Sequence, residues 1–162
     1  SSVVPMAQYF KESGYILRFV EYMDVGDSNG WKFDEVVPSS EIVELIGAHL
    51  PLEPIAPNYP GEVASRWRYT DGNGEIGLIS SVSQPFCGDC SRLRLSARGE
   101  LFTCLFASSG HDVRSLLRSN ASDETIVDTV TSLWRSRDDR YSELRSSQSQ
   151  QVGRVEMSYI GG

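Results

Sequence analysis

The chain contains three cysteines, Cys87, Cys90 and Cys104, and all fall in the stretch from Gln84 to Phe106. Two residues separate the first pair, and thirteen lie between Cys90 and Cys104. A Cys-x-x-Cys knuckle brings two sulfurs close enough to grip one metal or one edge of a cluster. The turn signal Arg98-Gly99 would fold Cys104 back toward that pair, so the spacing predicts a hairpin of Arg92–Ala97 with Leu101–Phe106. Spacing alone leaves the ligand chemistry open. A structural zinc site usually takes four protein ligands, and His111, seven residues after Cys104, would complete a Cys3His set. A cubane iron–sulfur cluster can use three protein ligands and keep one iron open. A disulfide would leave one cysteine over and ranks behind both.

Arg92 and Arg94 follow the knuckle directly. In an extended segment they point to the same side, and two guanidinium groups on one face can clamp a polyphosphate. The structural alternative is an ordinary charged strand face. The position directly after a ligand knuckle weakens that alternative.

The surrounding sequence reads as α/β. Residues 4–13 predict a helix started near Pro5 and stopped by Gly14. Tyr15–Met23 then reads as a buried strand interrupted by Arg18 and Glu21. A charge in a buried strand must be paired, so the pattern predicts an Arg18–Glu21 salt bridge, charges at an exposed edge, or an Arg18 that faces a ligand. Met23 by itself reads as core packing. Residues 24–33 form a loop by composition, anchored by Trp31 and Phe33; Asp24 and Asp27 lack the further carboxylates of a cation site. Pro38-Ser39-Ser40 starts a helix with Ile42, Leu45, Ile46 and His49 on one stripe. Four prolines over 51–62 predict a connection or surface crossing.

Beyond it the apolar period changes to two. Ala64–Thr70 and Glu75–Val82 read as a hairpin around Asp71-Gly72-Asn73-Gly74, with Arg66 and Arg68 on an exposed polar face. A short helix is predicted over 111–119, with Val113, Leu116 and Leu117 inward. A second, over 123–137, is capped by Ser122 and buries Ile126, Val127, Val130, Leu133 and Trp134. The polar segment 135–151 reads as mobile by composition.

The balance of 40% apolar and 23% charged residues fits a globular chain with one core or one core and a small appendage. A net charge of −7 argues against non-specific nucleic-acid binding. No run approaches the ~20 apolar residues of a membrane span, and no signal peptide is visible. Few cysteines, clustered as ligands, suggest a reducing, cytoplasmic setting.

Three stretches carry a resemblance. They are Phe86-Cys87-Gly88-Asp89-Cys90-Ser91-Arg92-Leu93-Arg94-Leu95 with Cys104-Leu105-Phe106; Arg18-Phe-Val-Glu-Tyr-Met23-Asp-Val-Gly26 with Asn29-Gly-Trp31; and the terminal Tyr159-Ile-Gly-Gly162. In order and spacing the chain resembles the C-terminal half of the GTP 3′,8-cyclase family, radical S-adenosylmethionine enzymes of molybdenum cofactor biosynthesis. The match is weaker over 107–155.

The resemblance implies an auxiliary [4Fe–4S] cluster on Cys87, Cys90 and Cys104, with the open iron ligated by the guanine of GTP. It assigns GTP contacts to Arg18, Arg92, Leu93 (through its backbone) and Arg94, an S-adenosylmethionine contact to Met23, and an active-site tail to Gly161 and Gly162. In that family a 5′-deoxyadenosyl radical removes the ribose 3′ hydrogen of GTP, and the sugar radical attacks guanine C8. The product is (8S)-3′,8-cyclo-7,8-dihydroguanosine 5′-triphosphate, which feeds cyclic pyranopterin monophosphate synthase.

The implied fold is the last helix–strand–helix portion of an incomplete radical-SAM α/β barrel over 1–50, a Pro-rich connection over 51–62, an α+β cluster- and GTP-binding subdomain with hairpins and helices over 63–151, and the tail over 152–162. The family's Cys-x-x-x-Cys-x-x-Cys motif, which holds the second [4Fe–4S] cluster and cleaves S-adenosylmethionine, does not occur in these residues. The chain also begins at Ser1 without an initiator Met. It is therefore expected to be a partial product: the substrate-binding half, without catalytic residues and inactive by itself, with a homodimer as the expected assembly. The rivals are a non-catalytic Cys3His zinc interaction module and a related radical enzyme acting on a peptide. Arg92-Leu93-Arg94 and the Gly-Gly end argue against the latter.

Overall fold

A computed structural model describes residues 2–26, 28–145 and 155–160. The chain divides into two units, Ser1–Met23 with Trp31–Cys90, and Asp24–Gly30 with Ser91–Gly162.

The first unit contains α1 (Val3–Lys11), β1 (Leu17–Val20), α2 (Ser39–Gly47), β2 (Leu52–Ile55), β3 (Ser65–Tyr69) and β4 (Glu75–Ile79). Its sheet has the order β1-β4-β3-β2; β1 runs parallel to β4, and the other pairs are antiparallel. The period-two pattern builds one apolar face. Leu17 and Phe19 of β1, Ile76 and Leu78 of β4, and Trp67 and Tyr69 of β3 pack against Ala7 of α1 and Ile42 and Ile46 of α2. Each large side chain so buried contributes roughly 1.5–3 kcal/mol. The opposite parity places Arg18, Glu53, Arg66, Arg68, Glu75 and Gly77 on the other face.

Several expectations change here. The strand expected over Tyr15–Met23 is shorter and, among the described residues, lies at the sheet edge with one partner, so Tyr15, Ile16 and Val20 are exposed. On α2, Leu45 is exposed and Val43 packs in its place; His49 lies beyond the helix and is exposed. The Pro-rich stretch 51–62 is not a plain connection. It supplies β2, and Pro54 is accommodated because β2 is the other edge strand, where a missing N–H is tolerated. Strands on either side of that stretch share one sheet, since β4 pairs directly with β1. Parallel pairing among the described residues is confined to β1 and β4.

The second unit contains β5 (Arg94–Leu95), β6 (Glu100–Phe102), β7 (His111–Asp112), α3 (Arg114–Arg118), α4 (Asp123–Arg135), α5 (Tyr141–Leu144) and a 3₁₀ turn at Met157–Tyr159. The three strands form an antiparallel sheet in the order β5-β6-β7. The predicted Arg98-Gly99 turn closes β5 on β6, with Gly99 N–H donating to Ser96 O at 2.9 Å. Gly99 has φ +79°, and a Cβ there would lie 2.6 Å from the Arg114 Cβ, so only glycine fits. Leu101, Phe102, Val113 and Ile160 are buried, and the Tyr159 hydroxyl donates to Glu100 at 2.5 Å.

The predicted helix over 111–119 begins as strand β7 and is helical only from Arg114; Leu117 points out, 61% exposed. Ser122 caps α4 as predicted, accepting from the Thr125 N–H at 3.2 Å, but no residue of α4 is buried and Val127 is 61% exposed. The segment expected to be mobile holds α5, because Asp24 anchors it. The Asp24 carboxylate accepts from Tyr141 Oη at 2.5 Å and from Arg145 Nε at 2.9 Å, and all three residues are buried. The rest of that segment, and the expected tail residues Gly161 and Gly162, lie outside the described residues.

Candidate functional site

In the first unit, Cys87 and Cys90 share one turn, closed by the Cys90 N–H donating to Cys87 O at 3.3 Å. In the second, Cys104 follows β6, and its sulfur accepts the Phe106 N–H at 3.4 Å. None of the three is in a disulfide, and all are half-buried. Thiols are donors that an iron–sulfur cluster or zinc takes. Among the described residues no three His, Cys, Asp or Glu side chains stand together as a metal site. Cys104 also lines a cavity of about 430 Å³ with Phe106, His111, Arg140 and Tyr141.

Arg92 and Arg94 share a side, as the spacing predicts. Exposure alternates from Ser91 to Ala97: Arg92, Arg94 and Ser96 are the less exposed set, and Leu93 and Leu95 the more exposed. The ladder itself covers only Arg94–Leu95, so Arg92 lies just outside it.

On the polar face of the first sheet, Arg66 pairs with Glu75 at 2.6 Å and Arg68 with Glu53 at 2.5 Å; Arg68 is exposed as expected, whereas Arg66 is partly buried against its partner. Arg18 stands on the same face and, among the described residues, makes no ion pair with a carboxylate. Its register partner is Gly77; a Cβ at that position would sit 3.2 Å from the Arg18 Cγ. The missing side chain lets the arginine stem lie across β4. Sequence reasoning misses Gly77. The signal that could find it is a lone glycine in a strand, which marks a close approach.

Glu21 corrects a second expectation. It is not the partner of Arg18 and is not exposed. It is 3% exposed, and its carboxylate accepts from Ser39 N and Oγ at 2.8 and 3.0 Å, Val82 N and Ser83 N at 2.8 Å each, and Ser83 Oγ at 2.5 Å. Burial pushes this carboxyl up. The hydrogen bonds from Ser83, Ser39 and Val82 outweigh it and hold the group below the usual carboxylate range. Met23 follows two residues later, half-buried at the end of the unit's first segment. Trp31 anchors the loop as expected, its indole donating to Tyr22 O at 2.8 Å, whereas Phe33 is 66% exposed.

The profile of the family described as Molybdenum Cofactor Synthesis C matches residues 15–143. The chain belongs to the Molybdenum Cofactor Synthesis C family. The matched span takes in Arg18, the cysteine turn, Arg92–Arg94 and Cys104, and with them the main elements of both units.

Among curated proteins, this family member is 51% identical to a GTP 3′,8-cyclase of Acidothermus cellulolyticus over 99% of its own length and 51% of the relative's. It is 48% identical to one from Xanthomonas campestris pv. campestris (strain B100), over 99% of its length and 47% of that protein. A GTP 3′,8-cyclase of Synechococcus sp. (strain WH7803) is 48% identical over 100% of this chain and 46% of its own. The chain thus spans about half the length of the curated relatives it matches. Among the described residues no helix is long and apolar enough to cross a membrane.

Proposed function

We propose that this chain is the substrate-binding part of a GTP 3′,8-cyclase, acting in molybdenum cofactor biosynthesis. The observation that carries the reading is identity of 44–51% with proteins of that name over 99% or more of the chain. Three half-buried cysteines, and an Arg18 that among the described residues pairs with no carboxylate, support it.

Cys87, Cys90 and Cys104 are the proposed ligands of an auxiliary [4Fe–4S] cluster. When bound, that cluster would supply a Lewis-acidic iron for the guanine. Arg18, Arg92 and Arg94 would take the anionic part of GTP, where guanidinium forks match phosphate oxygens, and the Leu93 backbone would add a contact. The Gly77 gap keeps the Arg18 stem flat on the sheet, and the Glu75 and Glu53 pairings keep Arg66 and Arg68 from competing for the triphosphate. Holding a nucleotide at its base and at its phosphates fixes the sugar between two points, which is positional catalysis. Met23 is the proposed contact to S-adenosylmethionine, and Gly161-Gly162 the proposed active-site tail. The edge strand β1 is where an α/β barrel would continue in a longer chain. Radical generation needs a cysteine motif these residues do not contain, so the chain alone is expected not to turn over GTP; the cyclase product would pass to cyclic pyranopterin monophosphate synthase.

The test is GTP titration of the anaerobically reconstituted protein. Arg92→Ala and Arg94→Ala should each weaken GTP binding about tenfold or more, as loss of a charge-assisted pair implies, with iron content unchanged. Loss of iron in both variants would assign these arginines to structure instead. One observation favours the Cys3His zinc module, namely that His111 and Cys104 line the same cavity. Under that reading His111→Ala would abolish metal binding, whereas the cluster reading leaves it intact.

A further inference from the structure

The Glu21 carboxylate ties together places far apart in sequence, all within the first unit. Its own N–H donates to Ile79 O at 3.1 Å, which continues the β1–β4 pairing one residue past the strand. Its Oε1 takes Ser39 N, Ser39 Oγ and Ser83 Oγ; its Oε2 takes the N–H groups of Val82 and Ser83. Five donors converge on one acceptor-only group. A glutamine would turn an NH2 against some of those donors, and an aspartate is one methylene too short.

Val82 and Ser83 lie in the segment that leads from β4 to the Cys87–Cys90 turn. A turn at Ser80–Gln84 tightens it, with Gln84 N–H donating to Ser80 O at 3.0 Å. Only Gln84, Pro85 and Phe86 separate Ser83 from Cys87. Pro85 fixes its own φ and restricts Gln84, so the link from the anchor at Ser83 to Cys87 is short and partly stiffened. At the other end, the Glu21 backbone is three residues from Arg18.

We propose that Glu21 is a positioning residue: its carboxylate bolts the start of the Cys87–Cys90 turn to the strand that carries Arg18, fixing thiolate pair and arginine in one register. This rests on the reading of those cysteines as ligands and Arg18 as a nucleotide contact. Ser83 is the arm that serves the turn, and Ser39 the arm that serves the start of α2.

The experiment compares Glu21→Gln, Ser83→Ala and Ser39→Ala in the full chain. The first readout is hydrogen exchange of peptides covering 82–90 in the metal-free protein, with peptides covering 92–104 in the other unit as internal reference. The second is the visible circular dichroism of the anaerobically reconstituted cluster, which reports ligand geometry. Glu21→Gln and Ser83→Ala should speed exchange over 82–90 about tenfold or more, leave 92–104 within about twofold, and alter the visible signal. Ser39→Ala takes a hydrogen bond from the same carboxylate and should leave 82–90 and the visible signal as in the parent.

Equal acceleration in both peptides, no acceleration, or an equal effect of Ser39→Ala and Ser83→Ala would overturn the proposal. If Glu21→Gln does not fold, the contrast between the two serine variants decides alone. Absence of iron from the reconstituted parent, with the exchange pattern intact, would overturn the cluster reading and leave Glu21 as the anchor of the turn. Iron present with no contrast between the serines would do the reverse.

Discussion

Replacing Asp24 by Ala should be among the most damaging single changes in the second unit. Asp24 and Arg145 have side chains only 7% and 9% exposed, their Nε–Oδ1 distance is 2.9 Å, and the Tyr141 hydroxyl fills the second carboxylate oxygen at 2.5 Å. Removing the carboxylate leaves a guanidinium buried against Phe106 and Tyr141, whose ring centroids lie 5.6 Å from its Cζ. Breaking a buried pair from one side costs about 3–5 kcal/mol. With a urea slope of about 2 kcal/mol per molar, that lowers the midpoint by roughly 2 M. Arg145→Met takes the opposite charge away from Asp24 and should cost a similar amount. The double variant should cost less than the sum by about 1–3 kcal/mol, since the two side chains interact directly. Urea unfolding followed by circular dichroism measures all three. A midpoint shift below about 0.5 M for either single variant, or strict additivity in the double, would refute the claim that this pair holds α5 in place.

Further outcomes follow from the first unit. Glu21 has its folded pKa depressed, so its contribution is fully present above the ordinary carboxylate range and is lost as pH falls through the lower folded value. Glu21→Gln should therefore be less stable at neutral pH and show a flatter acid limb in a stability–pH profile; an unchanged acid limb contradicts the assignment. Gly77→Val would drive a side chain into the Arg18 stem, since even a Cβ at that position would lie 3.2 Å from the Arg18 Cγ. It should weaken GTP binding about tenfold with little change in iron; calorimetric titration reads it. Arg66→Ala and Arg68→Ala break the pairs with Glu75 and Glu53 and should leave GTP affinity within about twofold, whereas a large loss in either would move those arginines into the site.

Period-two patterning locates β3 and β4, the Asp-Gly-Asn-Gly turn joins them, and the Arg98-Gly99 turn closes the second hairpin. These signals are local, so they survive without knowledge of the partner. What is not legible depends on distant partners. Glu21 reads as a charge needing Arg18 because its acceptor role is created by serines at 39 and 83. The Pro-rich stretch reads as a linker because nothing local reveals that β2 sits at a sheet edge. Segment 135–151 reads as mobile because Asp24, the buried partner of Tyr141 and Arg145 within it, lies more than a hundred residues away. The site residues are legible as residue types and spacing; Gly77 is not, since its meaning comes from the strand beside it.

Whether Cys87, Cys90 and Cys104 hold an iron–sulfur cluster that serves GTP binding decides most of what is proposed for this chain. Iron, zinc and acid-labile sulfide should be determined on anaerobically prepared protein, together with its visible spectrum. About four irons and four sulfides per chain are expected, with a broad cluster absorbance, lost on Cys→Ala substitution at any of the three positions. One zinc per chain with no sulfide, dependent on His111, would contradict the cluster.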